Sequence, residues 1–161
     1  MPEKKFNRRV VREKCLQALY AFEMNKEGLD ELVEGMLADV QIPADKEFGR
    51  KLIYKVIANR EELDELIRGK VANWEMDRIA LIDRLLLRMA IAEFLYFPDI
   101  PPKVSINEAI EIAKEYSTAK SGKFVNGILD SIFSELKKSD RLNKSGRGLI
   151  EESLPKKSPE E

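Results

Sequence analysis

Basic residues near the start of the chain are the ones whose type and spacing could bind a ligand. In the first fourteen residues the basic positions are Lys4, Lys5, Arg8, Arg9, Arg12 and Lys14. Two acidic residues accompany them, so this segment carries +4 in a chain whose formal net charge is −1. Guanidinium groups bind phosphates through paired hydrogen bonds and stack on bases. The pattern indicates a surface for single-stranded RNA, with Phe6 available for stacking.

Two other interpretations fit the same basic segment. A solvated basic N-terminus needs no ligand, and composition alone slightly favours it. A basic amphipathic helix could instead lie on a membrane surface. Glu13, Glu23 and an apolar face typical of a protein core argue against the membrane interpretation.

The sequence predicts no catalytic, metal or cofactor site. It contains no histidine and a single cysteine, Cys15, which we expect to be buried and inert. Gly122-Lys123 is not a phosphate loop, because Phe124 stands where serine or threonine is required. One cysteine and a start without a signal-peptide apolar run favour a reducing, cytoplasmic location and no membrane association. We therefore expect a binding protein and not an enzyme.

Helical periodicity runs through most of the chain, which predicts an all-α fold of about seven helices. We expect a helix from about Asn7 to Asn25, a short one capped by Asp30 and ending near Val40, a third from Pro43 to near Gly69, and a buried one over Arg78–Phe97. We assign residues 1–139 to one domain. Residues 140–161 are rich in charge, serine and proline, and we expect a disordered tail there.

Two further helices are predicted over residues 104–133, with a polar break at 117–123. Ser105 and Glu108 have the spacing of a capping box, so the first of these helices should begin at Ile106. Asn107 and Asn126 interrupt the apolar pattern, and helix interiors do not favour asparagine. We expect both to be buried amides that bond to a neighbouring helix.

Ile106-Asn-Glu-Ala-Ile110 and Lys123-Phe-Val-Asn-Gly-Ile-Leu-Asp130 resemble the NusB family of bacterial transcription antitermination factors. The two blocks appear in the family's order and spacing. The resemblance implies two packed three-helix units with a connecting helix. It also implies a function in which RNA and a protein partner are bound together, to promote processive elongation of ribosomal RNA operons.

The first helix carries a further part of the resemblance. Arg8-Arg-x-x-Arg12 followed by Leu16-Gln-Ala-Leu-Tyr20 looks like the family's opening helix, whose arginine-rich start contacts boxA RNA. The basic segment and the resemblance together nominate, for RNA contact, Lys5, Arg8, Arg9, Arg12, Gln17, Lys123 and Phe124.

The resemblance also implies a surface for NusE, a ribosomal small-subunit protein, with RNA polymerase and other Nus factors as indirect partners. Tyr20, Asp83 and Arg84 fall at the matching positions. From the residues alone, Tyr20 is equally a half-buried core tyrosine, and Asp83 and Arg84 are equally solubilising charges. Arg88 lies in a very apolar helix, and we expect it to pair with a carboxylate.

Two alternative functions remain to be compared with RNA-dependent antitermination. One is a helical protein-binding scaffold that makes no direct RNA contact. The other is an RNA cytosine methyltransferase, since some of these enzymes begin with a NusB-like domain. The enzyme would need a catalytic α/β domain and reactive cysteines, so the length of the chain and its single cysteine argue against it.

Overall fold

The structure, a computed structural model, describes residues 7–150, apart from the side chains of Asn7, Asn73 and Trp74. In chain order the helices are α1 (Asn7–Asn25), α2 (Leu29–Met36), α3 (Pro43–Ala58), α4 (Arg60–Arg68), α5 (Asn73–Met76), α6 (Leu81–Tyr96), α7 (Pro102–Tyr116) and α8 (Ala119–Lys138), followed by a 3-10 helix over Gly146–Leu149. Residues 7–150 contain no β-strand. The predicted all-α class is confirmed. The chain divides into two compact units at Asn59/Arg60.

Unit 1 consists of α1 packed on α2 and α3. The inward face of α1 buries Val11, Cys15 and Leu19. Gly49 lets α3 approach closely, because a β-carbon there would lie 2.8 Å from a methyl group of Val11. At this contact the Cys15 thiol donates a 3.4 Å hydrogen bond to the Gly49 carbonyl. The lone cysteine is buried and already bonded, as the sequence predicts.

Unit 2 is built around α6, which packs against α4, α7 and α8. Every residue of α6 from Leu85 to Phe94 is buried, including two charged ones. Arg88 donates hydrogen bonds of 2.8 and 3.0 Å to the two carboxylate oxygens of Asp64. Glu93 accepts a 2.6 Å hydrogen bond from the Ser105 hydroxyl. The predicted structural role of Arg88 is confirmed. Among the described residues, no helix has the length and apolar character needed to cross a membrane.

The predicted long third helix is two helices, α3 and α4, separated at Asn59. The backbone N–H and the side-chain amide of Asn59 both donate to the Lys55 carbonyl, at 3.1 and 2.9 Å. This arrangement ends α3, since asparagine competes with the helix for backbone hydrogen bonds. The apolar rhythm continues across the break, which is why periodicity alone predicted one helix.

The predicted starts of three helices are corrected. Gly28 in the left-handed region precedes α2, while Asp30 accepts a hydrogen bond from Tyr54 instead of capping. The helix expected to begin at Ile106 begins at Pro102, because proline suits the first turn. The helix expected after residue 123 begins at Ala119, and Thr118 caps it by accepting a 3.0 Å bond from the Ser121 N–H.

Asn107 and Asn126 are both exposed on their helices, so the prediction that they are buried amides is wrong. Most buried positions of the same two helices are apolar, among them Ile106, Ala109 and Val125. The two asparagines therefore lie outside the core that α7 and α8 form. The polar residue that α7 does bury is Ser105, whose hydroxyl is bonded to Glu93.

Residues 140–150 are packed against unit 2, in contrast to the disorder predicted from residue 140. The Lys144 ammonium donates to the carbonyls of Glu93 and Phe97, at 3.0 and 2.8 Å, at the end of α6. The Ser145 N–H donates to the Pro98 carbonyl at 2.9 Å. The Lys144 bonds are additional ones, since the Glu93 and Phe97 carbonyls also accept from the backbone N–H groups of Phe97 and Ile100, at 3.2 and 3.1 Å. The remainder of the predicted tail, residues 151–161, lies outside the described residues.

Candidate nucleic-acid and partner interface

Arg8, in the first turn of α1, is the predicted RNA-binding residue with the best defined surroundings. Its Nε donates a 2.8 Å hydrogen bond to Asp45 Oδ1 on α3, and its guanidinium lies 4.3 Å from the centre of the Phe48 ring. The Arg8 side chain remains 39% exposed, whereas that of Asp45 is 11% exposed. The guanidinium is therefore held in a fixed orientation with one edge open to a ligand.

Arg12 lies one turn further along α1 and is only 5% exposed. Its guanidinium is 5.0 Å from the same Phe48 ring, so Arg8 and Arg12 both face one aromatic side chain. The spacing of four residues predicts that Arg8 and Arg12 share one helix face, and in the structure both face the Phe48 ring. That face packs on α3, however, so a phosphate contact by Arg12 would require its side chain to leave Phe48.

The other predicted residues of α1 lie on its more open sides. Gln17 and Tyr20 are exposed, and Arg9 is half-buried. Lys14 forms a 3.0 Å ion pair with Asp39, and the Lys14 ammonium holds the pKa of that carboxyl below its usual value. Lys5 and Phe6 lie outside the described residues. Unit 1 thus brings together Arg8, Arg12 and Phe48, and it was the aromatic ring on α3 that sequence reasoning missed.

Asp83, in the first turn of α6, is 6% exposed and is not the surface charge that the sequence suggested. Its Oδ2 accepts a 3.0 Å hydrogen bond from the Ser121 hydroxyl on α8. Its Oδ1 is buried and has no hydrogen-bond partner among the described residues. Burial raises the pKa of the Asp83 carboxyl, and the Ser121 hydrogen bond opposes this only in part.

Arg84, beside Asp83, is half-buried and bonded to the backbone. Its Nη2 donates a 3.1 Å hydrogen bond to the Ile79 carbonyl, just before α6 begins. Its Nε is buried and has no hydrogen-bond partner in residues 7–150. The first turn of α6 therefore carries one acceptor, Asp83 Oδ1, and one donor, Arg84 Nε, that the described chain does not satisfy. Such groups are costly unless something pairs with them.

The start of α8 joins Asp83 to the exposed residues Lys123 and Phe124. Ser121 is bonded on one side to Asp83 and on the other to the hydroxyls of Ser117 and Thr118, at 2.9 and 3.4 Å. Lys123 and Phe124 follow within one turn and are exposed. Sequence reasoning missed Ser121, although Thr118 three residues earlier is a recognisable cap signal. Within unit 2, the predicted partner residue Asp83 is thus bonded to the turn of α8 that carries the predicted RNA residues Lys123 and Phe124.

The fold and these sites define an all-helical binding protein of two compact units. Residues 7–150 contain no group of three histidine, cysteine, aspartate or glutamate residues that could hold a metal. The chain belongs to the NusB family, whose sequence pattern matches residues 9–134. The resemblance drawn from the two α7 and α8 blocks is confirmed. This is a family of transcription antitermination factors and not of enzymes.

Relatives and solved structures agree on the family. The transcription antitermination protein NusB of Chloroherpeton thalassium is 51% identical over 154 residues, which cover 94% of this chain and 72% of that protein. The solved structure of T. maritima NusB is 40% identical, with a TM-score of 0.74, covering 84% of this chain and 94% of that one. A complex of antitermination factors NusB and NusE with double-stranded RNA contains a chain that is 25% identical, with a TM-score of 0.72, covering 82% and 99%.

Proposed function

We propose that this chain is an antitermination factor that binds boxA-type single-stranded RNA together with NusE. The complex of this chain with RNA and NusE forms in the cytoplasm, and RNA polymerase and other Nus factors are its indirect partners. It keeps elongation processive on ribosomal RNA operons. No bond is made or broken by the protein. Its contribution is to hold an RNA segment and a protein partner at the same time.

The observation that carries the RNA part of the proposal is the fixed geometry of Arg8. Its guanidinium is oriented by Asp45 and Phe48, and it keeps an open edge for a phosphate. A pre-oriented guanidinium loses less side-chain entropy when it binds, which favours paired hydrogen bonds to phosphate. Arg9 and Lys5 extend the basic surface, and Gln17 borders it. Arg12 contributes by holding the Phe48 ring on which Arg8 rests.

Lys123 and Phe124 provide a second proposed RNA contact, from unit 2. An exposed ammonium beside an exposed aromatic ring suits a phosphate and a stacked base. Their position at the start of α8 is fixed by the Thr118 cap and by Ser121. A solved relative contains NusB, NusE and double-stranded RNA together. That assembly supports joint binding, and the single-stranded preference proposed here follows from the basic and aromatic residue types.

NusE is proposed to contact Tyr20 in unit 1 and Asp83 and Arg84 in unit 2. Tyr20 and the half-buried Arg84 are accessible to a partner, whereas Asp83 Oδ1 and Arg84 Nε are buried and act by positioning the first turn of α6. A weak RNA contact and a protein contact on one assembly reinforce each other through effective concentration. NusE should therefore tighten RNA binding, although neither contact alone needs to be strong.

The test is a titration of boxA-type RNA with and without NusE over a series of salt concentrations. A plot of the logarithm of the binding constant against the logarithm of the salt concentration has a negative slope. For single-stranded RNA, each lost phosphate contact should reduce the magnitude of this slope by about 0.7. We expect Arg8→Ala to reduce the slope and the affinity, and to leave the helical content unchanged. Arg68→Ala is the matched control, because Arg68 is 37% exposed and is also paired with a carboxylate, Glu65.

Two results would overturn the RNA proposal. One is RNA binding that does not depend on salt, or that Arg68→Ala weakens as much as Arg8→Ala does. The other is undetectable RNA binding in the presence of NusE, with NusE itself still bound. The second result would leave the protein-binding scaffold as the function.

A further inference from the structure

A cavity of about 170 Å³ lies in unit 2 between residues 140–150 and the helices α7 and α8. Phe133 of α8 lines it together with Leu142 and Ile150 of the C-terminal segment. None of the residues proposed to bind RNA or NusE lies among its lining residues. It is therefore a separate feature of the molecule, and it exists only because residues 140–150 fold back on the helices.

The segment that closes the cavity is firmly held. Lys144 and Ser145 are bonded to the end of α6 and to Pro98, and Arg141 donates a 3.3 Å hydrogen bond to Glu62 on α4. Gly148 packs so closely that a β-carbon there would lie 1.9 Å from the Pro98 carbonyl oxygen. The cavity wall is thus preformed, which lowers the entropic cost of binding a ligand.

The cavity is lined by one aromatic ring, that of Phe133, and by several lysine side chains. The ammonium groups of Lys103 and Lys137 lie 5.7 and 5.8 Å from the centre of the Phe133 ring. Lys144 is a third lysine in the lining, and Asp140 is its single acidic residue. The lining therefore carries a net positive charge, although the whole chain has a formal net charge of −1. A ligand that complements it has an apolar group between carboxylates.

We propose that this cavity is a docking site for a short acidic segment of a partner protein. One aliphatic or aromatic side chain of that segment sits on Phe133, and its flanking carboxylates pair with Lys103 and Lys137. The size agrees, since an apolar cavity of roughly 150 Å³ accommodates one benzene ring.

The test uses the full-length protein and a synthetic peptide with one leucine between two pairs of glutamates. We expect saturable, sub-millimolar binding with NMR shift changes at the amides of Phe133, Leu142 and Gly148. Replacing the leucine by serine, or the glutamates by glutamines, should weaken the binding and reduce the shift changes at a given peptide concentration. The double variant Lys103→Gln/Lys137→Gln should bind about three- to tenfold more weakly. Lys138→Gln is the matched control, because Lys138 is exposed on the same helix and lies outside the cavity.

Several results would overturn the proposal. These are shift changes located elsewhere, equal losses in Lys138→Gln, or equally strong binding of the glutamine peptide. Tighter binding of a single-stranded RNA oligonucleotide at the same amides would replace the peptide with RNA as the ligand.

Glu151 and Glu152, which follow the cavity in sequence, are tested by the Glu151→Gln/Glu152→Gln variant. Unchanged or tighter peptide binding is expected, and weaker binding would contradict the assignment of the peptide's carboxylates to lysines.

Discussion

The hydroxyl of Ser121 donates a 3.0 Å hydrogen bond to the buried carboxylate of Asp83 and so joins the start of α8 to the start of α6. The other carboxylate oxygen has no partner among the described residues. Ser121 is thus the one described residue that forms a hydrogen bond with the Asp83 side chain. In the proposed function it also connects the NusE contact at Asp83 to the RNA contact at Lys123 and Phe124, which lie within one turn of it.

Replacing Ser121 by alanine should destabilise unit 2. The change leaves the Asp83 carboxylate without any hydrogen bond, and an unsatisfied buried group costs about 1–3 kcal/mol. Urea unfolding at neutral pH measures the loss. Ser131→Ala is the control, because Ser131 is exposed on the same helix. Equal stability of the two variants would mean that the Asp83 hydrogen bond contributes nothing to the fold. NusE should also enhance RNA binding less in Ser121→Ala than in Ser131→Ala.

The raised pKa of Asp83 predicts how stability depends on pH. Burial raises the pKa of the Asp83 carboxyl in the folded state above its value in the unfolded chain. In the pH window between these two pKa values, the folded protein still holds this proton, whereas the unfolded chain has lost it. The folded state therefore binds more protons in that window, and the contribution of Asp83 to stability falls as pH rises through it. Relative to the natural protein, Asp83→Asn should gain stability as pH rises through this window.

Urea unfolding of both proteins at several pH values within this window measures the difference. A difference that does not change with pH would mean that the Asp83 pKa is the same in the folded and unfolded states. Glu61→Gln is a useful control, because Glu61 is exposed.

The ion pair between Arg88 and Asp64 should be the most sensitive polar contact in unit 2. Asp64→Ala leaves the buried guanidinium without its two-bonded partner, which typically costs about 3–5 kcal/mol. Glu65→Ala breaks the exposed pair with Arg68 on the same helix and should cost less than about 1 kcal/mol. Thermal or urea unfolding compares the two variants. A small loss in Asp64→Ala would show that water enters and solvates Arg88.

The sequence predicted those features that one helix determines by itself. The bounds of α1, Asn7–Asn25, follow from its apolar spacing and from the helix-ending sequence Asn25-Lys-Glu-Gly28, and the structure agrees with them. The need of Arg88 for a carboxylate follows from one charge in an apolar helix. Even the family was identified from two consecutive helices. These features require no knowledge of which surface each helix meets.

Features that depend on a distant partner could not be predicted in this way. Ser105 has the spacing of a helix cap, but its hydroxyl is bonded to Glu93, twelve positions away. From the sequence, Asp83 resembled a surface charge. In the structure it is buried and accepts a hydrogen bond from Ser121 of α8. Arg12 shares a helix face with Arg8, but the packing of unit 1 buries Arg12 and leaves Arg8 partly exposed. Local pattern is ambiguous for such polar residues, because a tertiary contact overrides the local preference.

Gly148 should tolerate no side chain, although the composition around it predicted a disordered tail. A β-carbon at Gly148 would lie 1.9 Å from the Pro98 carbonyl oxygen, so alanine must push residues 144–150 away from the end of α6. Such overpacking typically costs about 1–3 kcal/mol.

Gly127→Ala is the matched control. The space around Gly127 is open within 4 Å and it lies inside α8, so alanine should stabilise by roughly 0.5–1 kcal/mol. Hydrogen exchange of the Ser145 amide, which donates to Pro98, measures displacement of the segment directly. Gly148→Ala should speed that exchange, whereas unchanged exchange and stability would mean that residues 140–150 do not pack on unit 2 in solution.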